Sequence, residues 1–125
     1  MNRLKFSFNP YNLNRLSILA GTEAMKDVEY FDDTRNRIIE TREDFVKEMT
    51  ELGFDVLPSK SNFVFASSDR ISGEAYFKAL RERNIIVRYF RDNKICNYVR
   101  ITIGTPEEMD ILLNEIRKIS EEVSL

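Results

Sequence analysis

The chain has 125 residues, 42% of them hydrophobic, with 19 basic against 21 acidic residues and a net charge of −2. That suffices for one domain with a core, and it offers no global attraction for nucleic acid or another polyanion. There is no histidine and a single cysteine, Cys96, which excludes a Ser-His-Asp triad, a Cys-His pair, His-based metal sites and an internal disulfide. A lone cysteine fits a reducing compartment, most simply the cytoplasm. Gly21, Gly53, Gly73 and Gly104 are too scattered for a phosphate loop or a dinucleotide fingerprint. No apolar run has the length of a membrane span or the core of a signal peptide, so no membrane partner is expected.

In chain order, residues 1–12 read as irregular, broken by Pro10 and several asparagines. Leu16, Leu19, Ala20 and Ala24 recur at helical spacing and predict a helix over 13–26. A longer helix is predicted over 28–52, with Asp27 at its start and Gly53 where a left-handed cap belongs. Phe31, Ile38, Phe45 and Leu52 form one of its rows, while Arg35 and Arg42 interrupt the row from Val28 to Met49 and read as interdomain or solvent contacts. Strands are expected at 54–57 and 62–66, then a helix over 72–83 with Tyr76, Phe77 and Leu80 inward, reversing at Asn84. Strands at 85–90 and 95–103 follow, with Cys96 as a small apolar filler. The last helix is announced by Thr105, Pro106 and Glu108, a capping box, and buries Met109, Leu112, Leu113, Ile116 and Ile119. The predicted fold class is α+β, a small mixed or antiparallel sheet with helices mainly on one face, preceded by a long helix.

Alternation sorts the arginines of the last two strands. Val99, Ile101 and Ile103 share one face and Tyr98, Arg100 and Thr102 the other; Ile85, Val87 and Tyr89 alternate with Ile86, Arg88 and Phe90. Arg88 and Arg100 are therefore expected on one face. A solvated sheet face, with arginine stems packed and heads in water, explains this as simply as a site does. The functional reading is an anion site, in which two planar guanidinium groups meet a carboxylate or a phosphate dianion and Tyr98, Tyr89 and Phe90 flank them.

The stretches SFNPYNLNRL, RNRIIETREDFVKEMTELGFDVLPSKSNFVFA, LRERNIIVRYF and YVRITIGTPEE resemble the C-terminal part of histidinol-phosphate aminotransferases. These are pyridoxal-phosphate (PLP) enzymes of the aspartate-aminotransferase fold. The likeness runs along nearly the whole chain in order, and it implies a division into an interdomain segment and helix, 1–26, and a small C-terminal domain, 27–125. It implies that Arg100 binds the α-carboxylate of glutamate and the phosphate end of histidinol phosphate, with Arg88 as a second partner for the phosphate. It further implies PLP in a full-length homodimeric enzyme of histidine biosynthesis, held by a large domain that carries the Schiff-base lysine. No cofactor is expected on this chain alone, and no residue of it is expected to be catalytic.

Ser59-Lys60 mimics the family's catalytic Ser-Lys pair but falls in a turn where the family has no such lysine. The chain departs from the family at Asn84, usually glycine, and at Tyr89, often histidine. Tyr11 and Asn12 fall in the segment between the two domains and read equally as cleft lining or as linker. Two rival readings are a stand-alone α+β binding or regulatory module for an acidic metabolite, and an interaction domain using the helix at 13–26. The aminotransferase reading predicts that the 125-residue chain, mixed with PLP and glutamate, shows no transamination. Turnover that disappears in Lys60→Ala would overturn it.

Overall fold

The computed structural model describes residues 13–123; the irregular segment 1–12, with Tyr11 and Asn12, lies outside them. Two compact units meet between Thr34 and Arg35. The first contains α1 (Arg15–Ala24), capped by Asn14, whose side chain accepts a 2.9 Å bond from the Ser17 amide. It buries none of its residues, and Leu16 and Leu19 are 76% and 58% exposed. The second helix, α2 (Val28–Glu51), starts as expected with Asp27 accepting from the Tyr30 amide and closes at Gly53, whose φ of 84° only glycine adopts without strain.

The second unit is a four-stranded antiparallel sheet with helices on one face. Its strands are β1 (Asp55–Val56), β2 (Phe63–Ser67), β3 (Arg88–Tyr89) and β4 (Val99–Thr102), in the order β1-β2-β4-β3. Its remaining helices are α3 (Gly73–Glu82), capped by Ser72, and α4 (Pro106–Val123). The Thr105–Glu108 box forms in both directions, at 2.9 and 3.3 Å. At the same helix start the Glu107 carboxyl is held below its ordinary value, chiefly by its own backbone amide and then by Thr105.

The core is the side of the sheet bearing Val64, Ala66, Val99 and Ile101, packed with Phe45 and Met49 of α2, Tyr76 and Leu80 of α3, and Met109, Leu112, Leu113, Ile116 and Ile119 of α4. Every inward position expected of α4 is buried, because its apolar residues recur at a strict helical period.

The strands are shorter than expected, and the reasons are local. Residues 95–97 leave the ladder because Asp92 nucleates a turn, its side chain accepting from the Lys94 amide and its carbonyl from the Ile95 amide. Cys96 is thereby half-buried in a turn rather than filling the core. Residues 85–87 are tied instead to the end of α3, where the Ile85 amide bonds the Leu80 carbonyl behind Asn84 at φ 61°. Arg42, expected only as an interdomain or solvent contact, donates from Nη1 to the Ser61 carbonyl at 3.0 Å, inside the second unit.

Substitutions at two positions test this packing. A β-carbon at Gly73 would sit 2.6 Å from the Cys96 carbonyl oxygen, so α3 starts against the 93–97 turn only with glycine there. Gly73→Ala is expected to destabilise the fold by about 1–3 kcal/mol. The Tyr76 ring is buried 5.2 Å from Phe54, yet its hydroxyl has no hydrogen-bond partner among the described residues, and burial pushes its ionisation upward. Tyr76→Phe should therefore leave stability unchanged or raise it by about 1 kcal/mol, whereas Tyr76→Ala should cost about 3–5 kcal/mol. Denaturant melts of the three variants measure both effects.

Candidate anion site on the open sheet face

The face of the sheet turned away from the core carries the chemistry. In the β3–β4 ladder Arg88 stands directly opposite Arg100, and in the β2–β4 ladder Arg100 stands directly opposite Phe65. Phe65, Arg100 and Arg88 thus form one row across three strands. Directly paired residues share a face, so the expectation that both arginines emerge together holds. The alternate residues Val99 and Ile101 are buried, which leaves no other face for the guanidinium groups.

Aromatic side chains surround the row. The Arg100 Cζ lies 5.0 Å from the Phe63 ring centre and 5.8 Å from that of Phe90, and the Arg88 Cζ lies 5.4 Å from Phe90. Phe65 stacks on Phe90 at 6.2 Å and meets Tyr98 edge-on at 6.4 Å. The Tyr98 hydroxyl donates to Asp55 at 3.3 Å.

Tyr89 is not part of this set. It pairs across the ladder with Val99 and stacks on Phe77 of α3 at 5.8 Å, on the helix-covered side. Phe63 and Phe65, absent from the expected site, belong to it. Their signal was the alternation of FVFA in β2, which becomes informative only when β2 is known to lie beside β4.

The electrostatics are one-sided. Among the described residues neither Arg88 nor Arg100 has a carboxylate within ion-pair distance, whereas Arg83 reaches Glu115 and Glu122, and Arg117 reaches Glu48. Arg100 is half-buried, and its Nε is shielded from solvent with no acceptor among the described residues. A buried donor left unpaired costs about 1–3 kcal/mol.

A turn supports the site. Ser59 Oγ donates to the Phe63 carbonyl at 2.6 Å and accepts from the Ser61 amide, while Arg42 holds the Ser61 carbonyl from α2. These bonds fix the entry into β2 and so the place of Phe63 beside Arg100.

None of the four strands carries a lysine, Lys60 is exposed, and Lys26, Lys78 and Lys118 are paired with Glu23, Glu74 and Glu115. Nor do the described residues include a cluster suited to a metal ion. No described helix is long and apolar enough to cross a membrane. Chemically, two guanidinium groups on one face offer donors of the kind an anion accepts.

Comparison with known proteins agrees with this geometry. Residues 2–116 match the family model for aminotransferase class I and II. The chain is 51% identical over 119 residues to a histidinol-phosphate aminotransferase of Brachyspira hyodysenteriae, covering 95% of this chain and 34% of that protein. It is 45% identical over 118 residues to the corresponding protein of Clostridium acetobutylicum, covering 94% and 34%. It therefore spans about a third of the length of these curated relatives. Among solved structures, the histidinol-phosphate aminotransferase from Clostridium acetobutylicum superposes with a TM-score of 0.82 at 24% identity, over 97% of this chain and 38% of that one. The enzyme from Sinorhizobium meliloti, solved with pyridoxal-5'-phosphate, gives 0.77 at 20% identity, over 98% and 34%. At those identities the superpositions speak to the fold, and the family match over nearly the whole sequence speaks to descent: the chain belongs to the class I and II aminotransferases.

Proposed function

We propose that this chain is the anion-recognising small domain of a PLP-dependent histidinol-phosphate aminotransferase, with residues 27–125 as that domain and 1–26 as the segment leading into it. The whole enzyme transfers an amino group between glutamate and imidazole-acetol phosphate, in the cytoplasm and as a homodimer. PLP and the Schiff-base lysine belong to the large domain, and the chain by itself is inactive. Identity of 51% to a histidinol-phosphate aminotransferase supports the choice of substrate.

The observation that carries the reading is the arginine row. Arg100 has no carboxylate partner among the described residues and stands directly across the ladder from Arg88, on a face with aromatic flanks. A carboxylate or phosphate approaching Arg100 gains a charge-assisted, two-pronged hydrogen bond. A phosphate dianion has oxygens left for Arg88. A single carboxylate needs only Arg100. The two residues thus divide the labour between the two substrates, and the domain's remaining task is to hold them in place while the cleft closes and excludes water.

In the full-length enzyme Arg100→Lys is expected to weaken both half-reactions about ten- to a hundredfold in kcat/KM, since it keeps charge but loses the planar fork, at about 1.5–3 kcal/mol. Arg88→Ala is expected to harm the phosphorylated substrate more than glutamate. Steady-state kinetics with each substrate varied separately measure this. Unchanged kinetics in Arg100→Lys would sink the anion-site reading; equal losses in Arg88→Ala would sink only the division of labour.

A further inference from the structure

We infer that Phe90 is a positioning residue for the arginine pair: its ring, shared by both guanidinium groups, holds Arg88 and Arg100 together as one receptor for a dianion. The inference rests on the anion-site reading above and concerns how that site distinguishes a dianion from a monoanion.

Two like charges directly opposite each other on a ladder repel, and long side chains on an open face relieve this by splaying into solvent. Here they converge. Both Cζ atoms lie over the same ring, at 5.4 Å for Arg88 and 5.8 Å for Arg100. The negative face of a benzene ring attracts each cation, so one ring offsets part of the repulsion between two. No carboxylate does this job, because neither arginine has one within reach among the described residues.

Phe90 is itself held. It stacks on Phe65, the residue facing Arg100 across the β2–β4 ladder. The ring is thereby tied to the central strands even though Phe90 lies just beyond the end of β3.

The two arginines depend on Phe90 unequally. Arg100 is half-buried and also has the Phe63 ring at 5.0 Å. Arg88 is exposed, and among the described residues Phe90 is the only ring beneath it. Removing the aromatic face should therefore release Arg88 and leave Arg100 nearly in place. A ligand that needs both guanidinium groups loses affinity, and a ligand that needs one does not. Leucine fills similar apolar space without a π face, and tyrosine keeps the face, so the two substitutions separate positioning from packing.

The test uses the 125-residue chain, with backbone amide shifts of residues 88–90 and 99–101 followed during titration with inorganic phosphate near pH 8 and, separately, with acetate. Phe90→Leu is expected to weaken phosphate binding about three- to tenfold while changing acetate binding by less than about twofold. Phe90→Tyr should restore phosphate binding. Phe90→Met provides a second non-aromatic variant if the leucine variant lacks a dispersed amide spectrum. Phosphate bound equally well by the non-aromatic variants and the wild type would overturn the inference while leaving the anion site standing. Parallel loss of phosphate and acetate binding, unrestored by tyrosine, would overturn it in favour of simple packing. A wild-type chain indifferent to phosphate would remove the anion site and this inference together.

Discussion

The antiparallel register of β3 against β4 sets two arginines side by side, and the arrangement of the second unit is organised around making that tolerable. Arg88 opposite Arg100 is a repulsive pair by cross-strand rules. It persists because the same alternation that exposes Arg100 buries Val99 and Ile101 against three helices. A slip of one residue would exchange these sets, placing an unpaired guanidinium in the core and isoleucine in water. The apolar face thus pins a register that the charged face alone would oppose. The packed core and the arginine face lie on opposite sides of one strand.

The surrounding structure converts this register into a shaped surface. Arg42 reaches from α2 to the turn at Ser61, and Ser59 closes the same turn onto the Phe63 carbonyl. On the other side, the start of α3 at Gly73 lies against the 93–97 turn that delivers the chain into β4. The Ile103 amide, just past β4, bonds the Asn62 carbonyl before the capping box turns the chain into α4. The start of β2 and the end of β4 are therefore each fixed by a bond outside the ladder itself. The aromatic residues Phe63, Phe65 and Phe90 gain fixed places next to the guanidinium groups as a consequence.

This division also explains why the unit is one-sided in composition. The helix-covered side takes aliphatic and aromatic residues, among them Phe45, Phe54 and Tyr76, whose hydroxyl has no partner among the described residues. The open side takes arginine and aromatic residues, whose flat surfaces tolerate both water and an approaching anion. Its tyrosine, Tyr98, satisfies its hydroxyl on Asp55. Such a face offers donors and flat apolar surface to an anion, in keeping with the function proposed for this member of the class I and II aminotransferase family.

Much of this was legible in the residues because local physics is sufficient for it. The caps at Asp27, Gly53, Asn84 and Thr105 depend on side chains or φ preferences within a few positions, and each forms as expected. The shared face of Arg88 and Arg100 follows from alternation, and the buried stripe of α4 from helical period. The resemblance to histidinol-phosphate aminotransferases was likewise carried by contiguous stretches. What sequence alone left undecided is what depends on neighbours distant along the chain. Strand lengths were overestimated because β propensity cannot register where a partner strand ends or where Asp92 starts a turn. Tyr89 was placed beside the arginines until its pairing with Val99 and stacking on Phe77 put it on the covered side. Arg42 became a support for the turn before β2 only once α2 lay beside Ser61. Phe63 and Phe65 joined the site only because β2 inserts between β1 and β4, and Phe90 lies over both arginines only because β3 pairs in this register. Periodicity along a strand decides which face a side chain occupies; the order and register of strands decide what it meets there.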